Sequence, residues 1–77
     1  MRQKMIEARK ARGWTQRQAA EATGTTKEYY GLLENSKRVG TVPYWIRWQM
    51  AFGKGNAEML EVIKEGVVIE DKDKLYK

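Results

Sequence analysis

The sequence predicts an all-α domain of five short helices, and three observations carry that reading. Apolar residues recur at helical rather than alternating spacing over most of the chain. Polar or glycine-containing stretches at 13–15, 24–26, 35–41 and 53–56 cut this pattern into short pieces. The length, 77 residues, suits one domain with one small core, and a chain of this size buries only roughly 60% of the surface it exposes when unfolded.

The first helix is expected from about Arg2 to Arg12, with Met5 and Ala8 on its inner side, Arg9 and Arg12 on its outer side, and Gly13 at the position that ends it. Trp14 follows and packs inward. Thr15, Gln16, Arg17 and Gln18 read as a capping box that opens a second helix: the Thr15 hydroxyl accepts from the third helical amide while the Gln18 side chain reaches back. Gly24, eight residues after Gln16, can take the left-handed backbone of a sharp turn. Thr25 and Thr26 both suit the cap of a third helix. Thr25 would put Glu28 at the third position, and Thr26 would put Lys27 at the first. That helix continues through an inward Tyr30 and Leu33 to about Asn35, and Ser36 to Gly40 form a polar, basic loop.

Pro43 fits the first turn of a fourth helix carrying Trp45, Trp48 and Phe52 inward, with Ile46 and Met50 thickening that apolar face. Asn56 is the expected cap of a fifth helix, with Met59, Leu60 and Ile63 on one side, Glu58, Glu61 and Glu65 on the other, and Gly66 as its stop. Residues 1–66 are thus the domain. Val67 to Ile69 suit a short strand, and Asp71 to Lys77 a frayed, charged tail.

Composition narrows the function. The chain has no cysteine and no histidine, which removes disulfide frameworks, thiolate nucleophiles, imidazole bases and the commonest zinc ligands. Neither a metal nor a cofactor is expected. No apolar run reaches the roughly 20 residues of a spanning helix, and the first residues lack a signal-peptide core, so a soluble cytoplasmic protein with no membrane partner is expected. The carboxylates are scattered, and Gly53-Lys54-Gly55 lacks a phosphate-cradling pattern, so an enzyme is not expected. A chain this short also leaves no second domain for a small-molecule pocket. The net charge of +5 lies wholly in the first half: residues 1–38 hold nine Lys or Arg against four acids, and the rest six against six. That asymmetry reads as a basic face for a polyanion, the alternative being a merely solvated surface.

Two short helices separated by a glycine turn, the second amphipathic and followed by a basic loop, form a layout that presents a helix to DNA. The string from Thr15 to Lys37 sharpens it through the Thr15-Gln16 start, Ala20, Gly24 and the Leu33-Glu34-Asn35-Ser36-Lys37 close. With these residues the chain resembles the Cro and phage-repressor helix-turn-helix, or xenobiotic-response-element family, from about Met5 to Arg38 and more loosely through the fourth helix. The resemblance implies a lambda-repressor-like fold in which Ala20 lets two helices nearly touch and Gly24 makes the turn.

The resemblance also implies a set of contacts. Gln16, otherwise a plain capping-region residue, meets a phosphate beside Arg17 and braces the recognition helix. Lys27, Glu28 and Leu32 fall on base-reading positions, with Thr26 and Tyr29 nearer the backbone. Lys27 could donate to guanine, Glu28 accept from cytosine N4, and Leu32 cover a thymine methyl. The alternative for Glu28 is helix-start stabilisation. Gly31 disfavours a helix interior by about 1 kcal/mol, which close approach of DNA or close helix packing would explain. Lys37 and Arg38 fall on the loop that grips the sugar-phosphate backbone. Arg9 and Glu34 match an ion pair tying the first helix to the end of the third. Two departures stand out: Tyr30 and Ala8 occupy sites usually held by a branched aliphatic and a leucine, and Trp45 and Trp48 sit where aliphatics are usual, which leaves the register of the fourth helix open by one residue.

A single recognition helix contacts few base pairs, so the implied partner is double-stranded DNA carrying a near-palindromic operator bound by a homodimer. The expected interface is the fifth helix or the 67–69 strand. The implied role is a transcriptional regulator, most simply a repressor in a phage or mobile element. The rival is a protein-binding module, such as an antitoxin-like or adaptor protein, holding a partner through its C-terminal half.

Overall fold

Helix endings set the path of the chain in the computed structural model, which describes residues 1–66. Five helices follow one another: α1 (Gln3–Ala11), α2 (Gln16–Ala22), α3 (Lys27–Glu34), α4 (Val42–Phe52) and α5 (Asn56–Glu65). No strand occurs among the described residues, and the expected 67–69 strand and 71–77 tail lie outside them. No described helix is long and apolar enough to cross a membrane.

The ends of α2 and α3 use the same pair of reversed hydrogen bonds, which satisfies carbonyls that the helix leaves without partners. After α2, the Thr25 amide donates to the Ala20 carbonyl at 2.9 Å and the Gly24 amide to Glu21 at 3.2 Å. After α3, the Lys37 amide donates to Leu32 at 2.8 Å and the Ser36 amide to Leu33 at 3.2 Å. Both turns need a left-handed residue: Gly24 takes φ +73°, as its sequence position suggests, and Ser36 takes φ +62° despite its Cβ.

Threonines open the middle three helices. Thr15 and Gln18 form the expected capping box, at 3.1 Å from the Gln18 amide to the Thr15 hydroxyl and 2.8 Å from the Thr15 amide to the Gln18 carbonyl oxygen. Thr26, not Thr25, caps α3 by accepting from the Tyr29 amide, which makes Lys27 its first residue. Thr41 caps α4 ahead of Pro43, accepting from the Tyr44 amide at 3.2 Å. The expectation for α5 needs correction, because Gly55 is the cap and Asn56 the first helical residue. Glu58 accepts from the Gly55 amide at 3.2 Å, while the Asn56 oxygen accepts from the Gln49 side-chain amide at 2.8 Å. The Asn56 side chain thus ties α4 to α5 instead of closing its own helix.

The core gathers Met5, Ala8, Ala19, Ala20, Tyr30 and Leu33 under the aromatic side of α4. Tyr44, Trp45, Trp48 and Phe52 continue to Trp14 as a run of ring pairs 5.2–5.9 Å apart, mostly edge-on. Such pairs add about 0.5–1.5 kcal/mol each beyond the area they bury. This run settles the register of α4 and corrects two expectations, since Ile46 and Met50 point outward, 49% and 79% exposed. At 100° per residue, Val42, Ile46 and Met50 line up on the face away from the tryptophans. The same geometry corrects α5: Val62 is buried with Met59 and Ile63 against the core, while Leu60, about 200° away from Val62, is exposed.

Candidate nucleic-acid interface

One buried carboxylate organises the approach to the exposed side of α3. Glu34, in the last turn of α3, accepts from Arg9 Nε at 2.7 Å and from the Gln16 side-chain amide at 3.0 Å, and Arg9 also donates to the Trp14 carbonyl at 3.0 Å. A carboxylate leaves water only for partners of this kind. Glu34 thereby fixes α1, the first residue of α2 and the end of α3 to one another. Gln16 is half-buried at this junction, its amide oriented by the carboxylate.

The turn at Gly24 brings the start of α3 against α2. Ala20 is buried at this approach, where a larger side chain would wedge the two helices apart. Arg17, Thr26, Lys27 and Glu28 then line one open notch of about 290 Å³ with Ala20, Glu21 and Thr25. All four are exposed. Lys27 and Glu28 stand in the first turn of α3, whose own amides have no partner within the helix. Tyr29, Gly31 and Leu32 continue along α3 half-buried, and the Tyr29 ring meets Tyr44 edge-on at 6.2 Å. Lys37 and Arg38 are exposed beyond the far end of the helix.

Space around Gly31 separates its two readings. Outside its chain neighbours and the backbone of its own helix, a Cβ built there comes no nearer than 3.8 Å to a heavy atom, the closest being the Gln16 side-chain oxygen. That is ordinary van der Waals contact, so close helix packing does not require glycine at this position.

Two arginines near the interface escaped the sequence reading. Arg47 on α4 donates Nε–H to the Thr23 carbonyl at 2.9 Å, closing the end of α2 from outside, and its guanidinium lies 5.7 Å from the Tyr44 ring centre. Beside it the Tyr44 hydroxyl donates to Thr23 Oγ1 at 3.2 Å, and burial pushes the Tyr44 phenol up to about 12. Arg2, expected at the start of the first helix, is fully buried. No periodicity marks either residue; Arg47 lies between two tryptophans in the sequence, and that proximity is its only local signal.

A capped α2, a glycine turn and an α3 with its first turn exposed beside basic side chains define a helix-turn-helix DNA-binding domain. Residues 5–54, more than half the chain, match the helix-turn-helix family, and the chain belongs to it as a Cro/C1-type member. The match reaches the end of α4, beyond the Met5 to Arg38 core of the sequence resemblance. Its function is of the DNA-binding, transcription-regulator type. Comparison with the curated proteins and with the solved structures gives no match.

Proposed function

We propose that the chain is a sequence-specific reader of double-stranded DNA that lays α3 in the major groove and represses transcription by occupying a promoter, in the cytoplasm of a host carrying a phage or mobile element. The notch that joins Lys27 and Glu28 to Arg17 and Thr26 carries this reading, because it sets charged, exposed side chains at the N-terminal end of a capped helix whose far end is tied to α1 and α2. Lys27, Glu28 and Leu32 read bases, with Thr26, Tyr29 and Arg17 nearer the backbone. Gln16, Lys37 and Arg38 hold phosphates.

The room around Gly31 supports close approach of DNA as the reason for glycine. Gly31→Ala should raise stability by up to about 1 kcal/mol while weakening DNA binding, read by thermal melting and by titration of a bound duplex. Equal or tighter binding by the variant would remove Gly31 from the interface.

A homodimer on a near-palindromic operator follows from the small reach of one recognition helix, and the exposed Leu60 on α5 supports that helix as part of the contact. Selection of duplexes from a random pool at two salt concentrations, with Lys27→Ala alongside, tests the whole reading. An inverted repeat whose preference the variant relaxes is expected; salt-sensitive binding without enrichment would reduce the basic half to a phosphate grip. The outward line of Val42, Ile46 and Met50 favours one further reading, a protein partner held by the C-terminal half. Polar substitution of Ile46 and Met50 that abolishes partner binding at unchanged DNA affinity is its signature.

A further inference from the structure

Arg2 is the one fully buried cation among the described residues, and no carboxylate pairs with it there. Its guanidinium is satisfied by main-chain carbonyls instead: Nε donates to Val62 at 3.0 Å, Nη1 to Leu33 at 2.6 Å and Arg38 at 2.8 Å, and Nη2 to Val39 at 3.2 Å. The same group lies 5.1 Å from the Trp45 ring centre, and the Arg2 amide donates to the Glu34 carbonyl at 2.8 Å. Burial pulls its pKa down, opposed by the charge of Glu65, yet a guanidinium starts so high that it remains charged.

The identity of the four carbonyls is informative. Leu33 and Val62 belong to the last turns of α3 and α5, whose carbonyls have no partner within their helices and carry the negative end of the helix dipole. Arg38 and Val39 belong to the loop between α3 and α4, which has no secondary structure of its own to satisfy them; Val39 also accepts from Trp45 Nε1 at 3.0 Å, so at the Arg38 carbonyl it is Arg2 that closes the loop. One cation therefore meets the ends of α3 and α5 and helps pin the loop that leads from α3 to α4. Drawing the Arg38 carbonyl inward leaves the Lys37 and Arg38 side chains exposed. The end of α5 is fitted to the same group, because a Cβ built on Gly66 would collide with the Arg2 guanidinium.

We propose that Arg2 is a positioning residue for DNA binding: it sets the 36–41 loop so that Lys37 and Arg38 meet phosphates together, and it makes that setting depend on the end of α5. This rests on the reading of Lys37 and Arg38 as phosphate contacts. A lysine at position 2 has three donors on one point and cannot span carbonyls on three segments as the planar fork does.

The test compares the salt dependence of DNA binding with thermal stability for the full chain and four variants: Arg2→Met, Gly66→Ala, Phe52→Leu and the double variant Lys37→Ala/Arg38→Ala. Each lost phosphate contact lowers the slope of log K against log salt by about 0.9. The double variant should lose about two contacts. Arg2→Met should lose one to two, and Gly66→Ala, which displaces the guanidinium without removing it, should move the slope in the same direction. Phe52→Leu, a core change that removes none of these hydrogen bonds, should lower stability and leave the slope unchanged. Gly66→Ala keeps the test decisive should Arg2→Met fail to fold. A parental slope for folded Arg2→Met or Gly66→Ala, with the double variant reduced, overturns the positioning role alone. A parental slope for the double variant overturns the phosphate reading and the positioning role with it.

Discussion

The two ends of α3 are built by different means, although each adjoins a turn closed by the same two reversed hydrogen bonds. The turn before α3 is made mainly by its own neighbours: Gly24 supplies the left-handed residue, Thr26 caps the helix it opens, and Ala20 lets α2 approach. The loop after α3 is held in large part by residues far away in sequence, with Trp45 Nε1 donating to the Val39 carbonyl from nearby. Arg9 reaches Glu34 across 25 positions, and Arg2 reaches Leu33, Arg38 and Val39 across 31 to 37. Its own left-handed residue is a serine. Local chemistry thus makes most of the Lys27–Glu28 end, with Arg47 closing α2 from outside, whereas the Lys37–Arg38 end takes much of its shape from Arg2 and Arg9.

Arg9→Met should cost the most. It leaves the Glu34 carboxylate enclosed with Gln16 as its remaining side-chain hydrogen-bond donor, and a buried charge stripped of its partner destabilises by about 3–5 kcal/mol. Whole domains have only about 5–15 kcal/mol, so chemical denaturation should find the variant close to unfolded. Arg9→Met/Glu34→Gln should recover part of the loss, since it removes the unpaired charge. No recovery would mean that the packing of the Arg9 stem, and not its charge, holds the end of α3.

A change at the local end should cost less. Gly24→Ala forces a Cβ into a left-handed backbone and brings it to 3.2 Å from Arg47 Nε, where the side chain must give way and weaken its bond to the Thr23 carbonyl. The expected loss is about 1–2 kcal/mol by denaturant titration. Arg47→Ala added to Gly24→Ala should then cost less than Arg47→Ala alone. Strict additivity would show that Arg47 and the turn are energetically separate.

The same contrast explains what could be read from the sequence. Gly24, the Thr15–Gln18 box, the inward Tyr30 and Leu33, and the order of five helices follow from local spacing, and all are found in the fold. The Arg9–Glu34 pair came from family resemblance, because nothing in the spacing of residues 9 and 34 announces a contact. Arg2 and Val62 carry no local signal: an arginine at a helix start reads as solvated, and Val62 is not among the apolar residues, Met59, Leu60 and Ile63, that the spacing puts inward. Ile46 and Met50 misled for the opposite reason. α4 is apolar on nearly every face, so hydrophobicity could not say which side the aromatics would claim. Gly55 displaced Asn56 as cap because Asn56 spends its side chain on Gln49.

The smallest effect should come from Ser36, and its sign is the sharpest check on the difference between the two turns. A non-glycine residue at φ +62° bears about 1–2 kcal/mol of steric cost, and the Ser36 hydroxyl is enclosed without a protein partner. Ser36→Gly relieves both but gives the unfolded chain more freedom, which takes back about 0.5–1 kcal/mol. A net gain of about 0.5 kcal/mol should remain, a rise of roughly 2–4 °C in melting temperature for a domain of this size. With the loop anchored by Arg2, DNA affinity should not change, because the serine serves only the turn. A stabilised variant that binds DNA more weakly would instead mean that stiffness at position 36 helps present Lys37 and Arg38, and that end of α3 would then depend on its own residue as well as on distant ones.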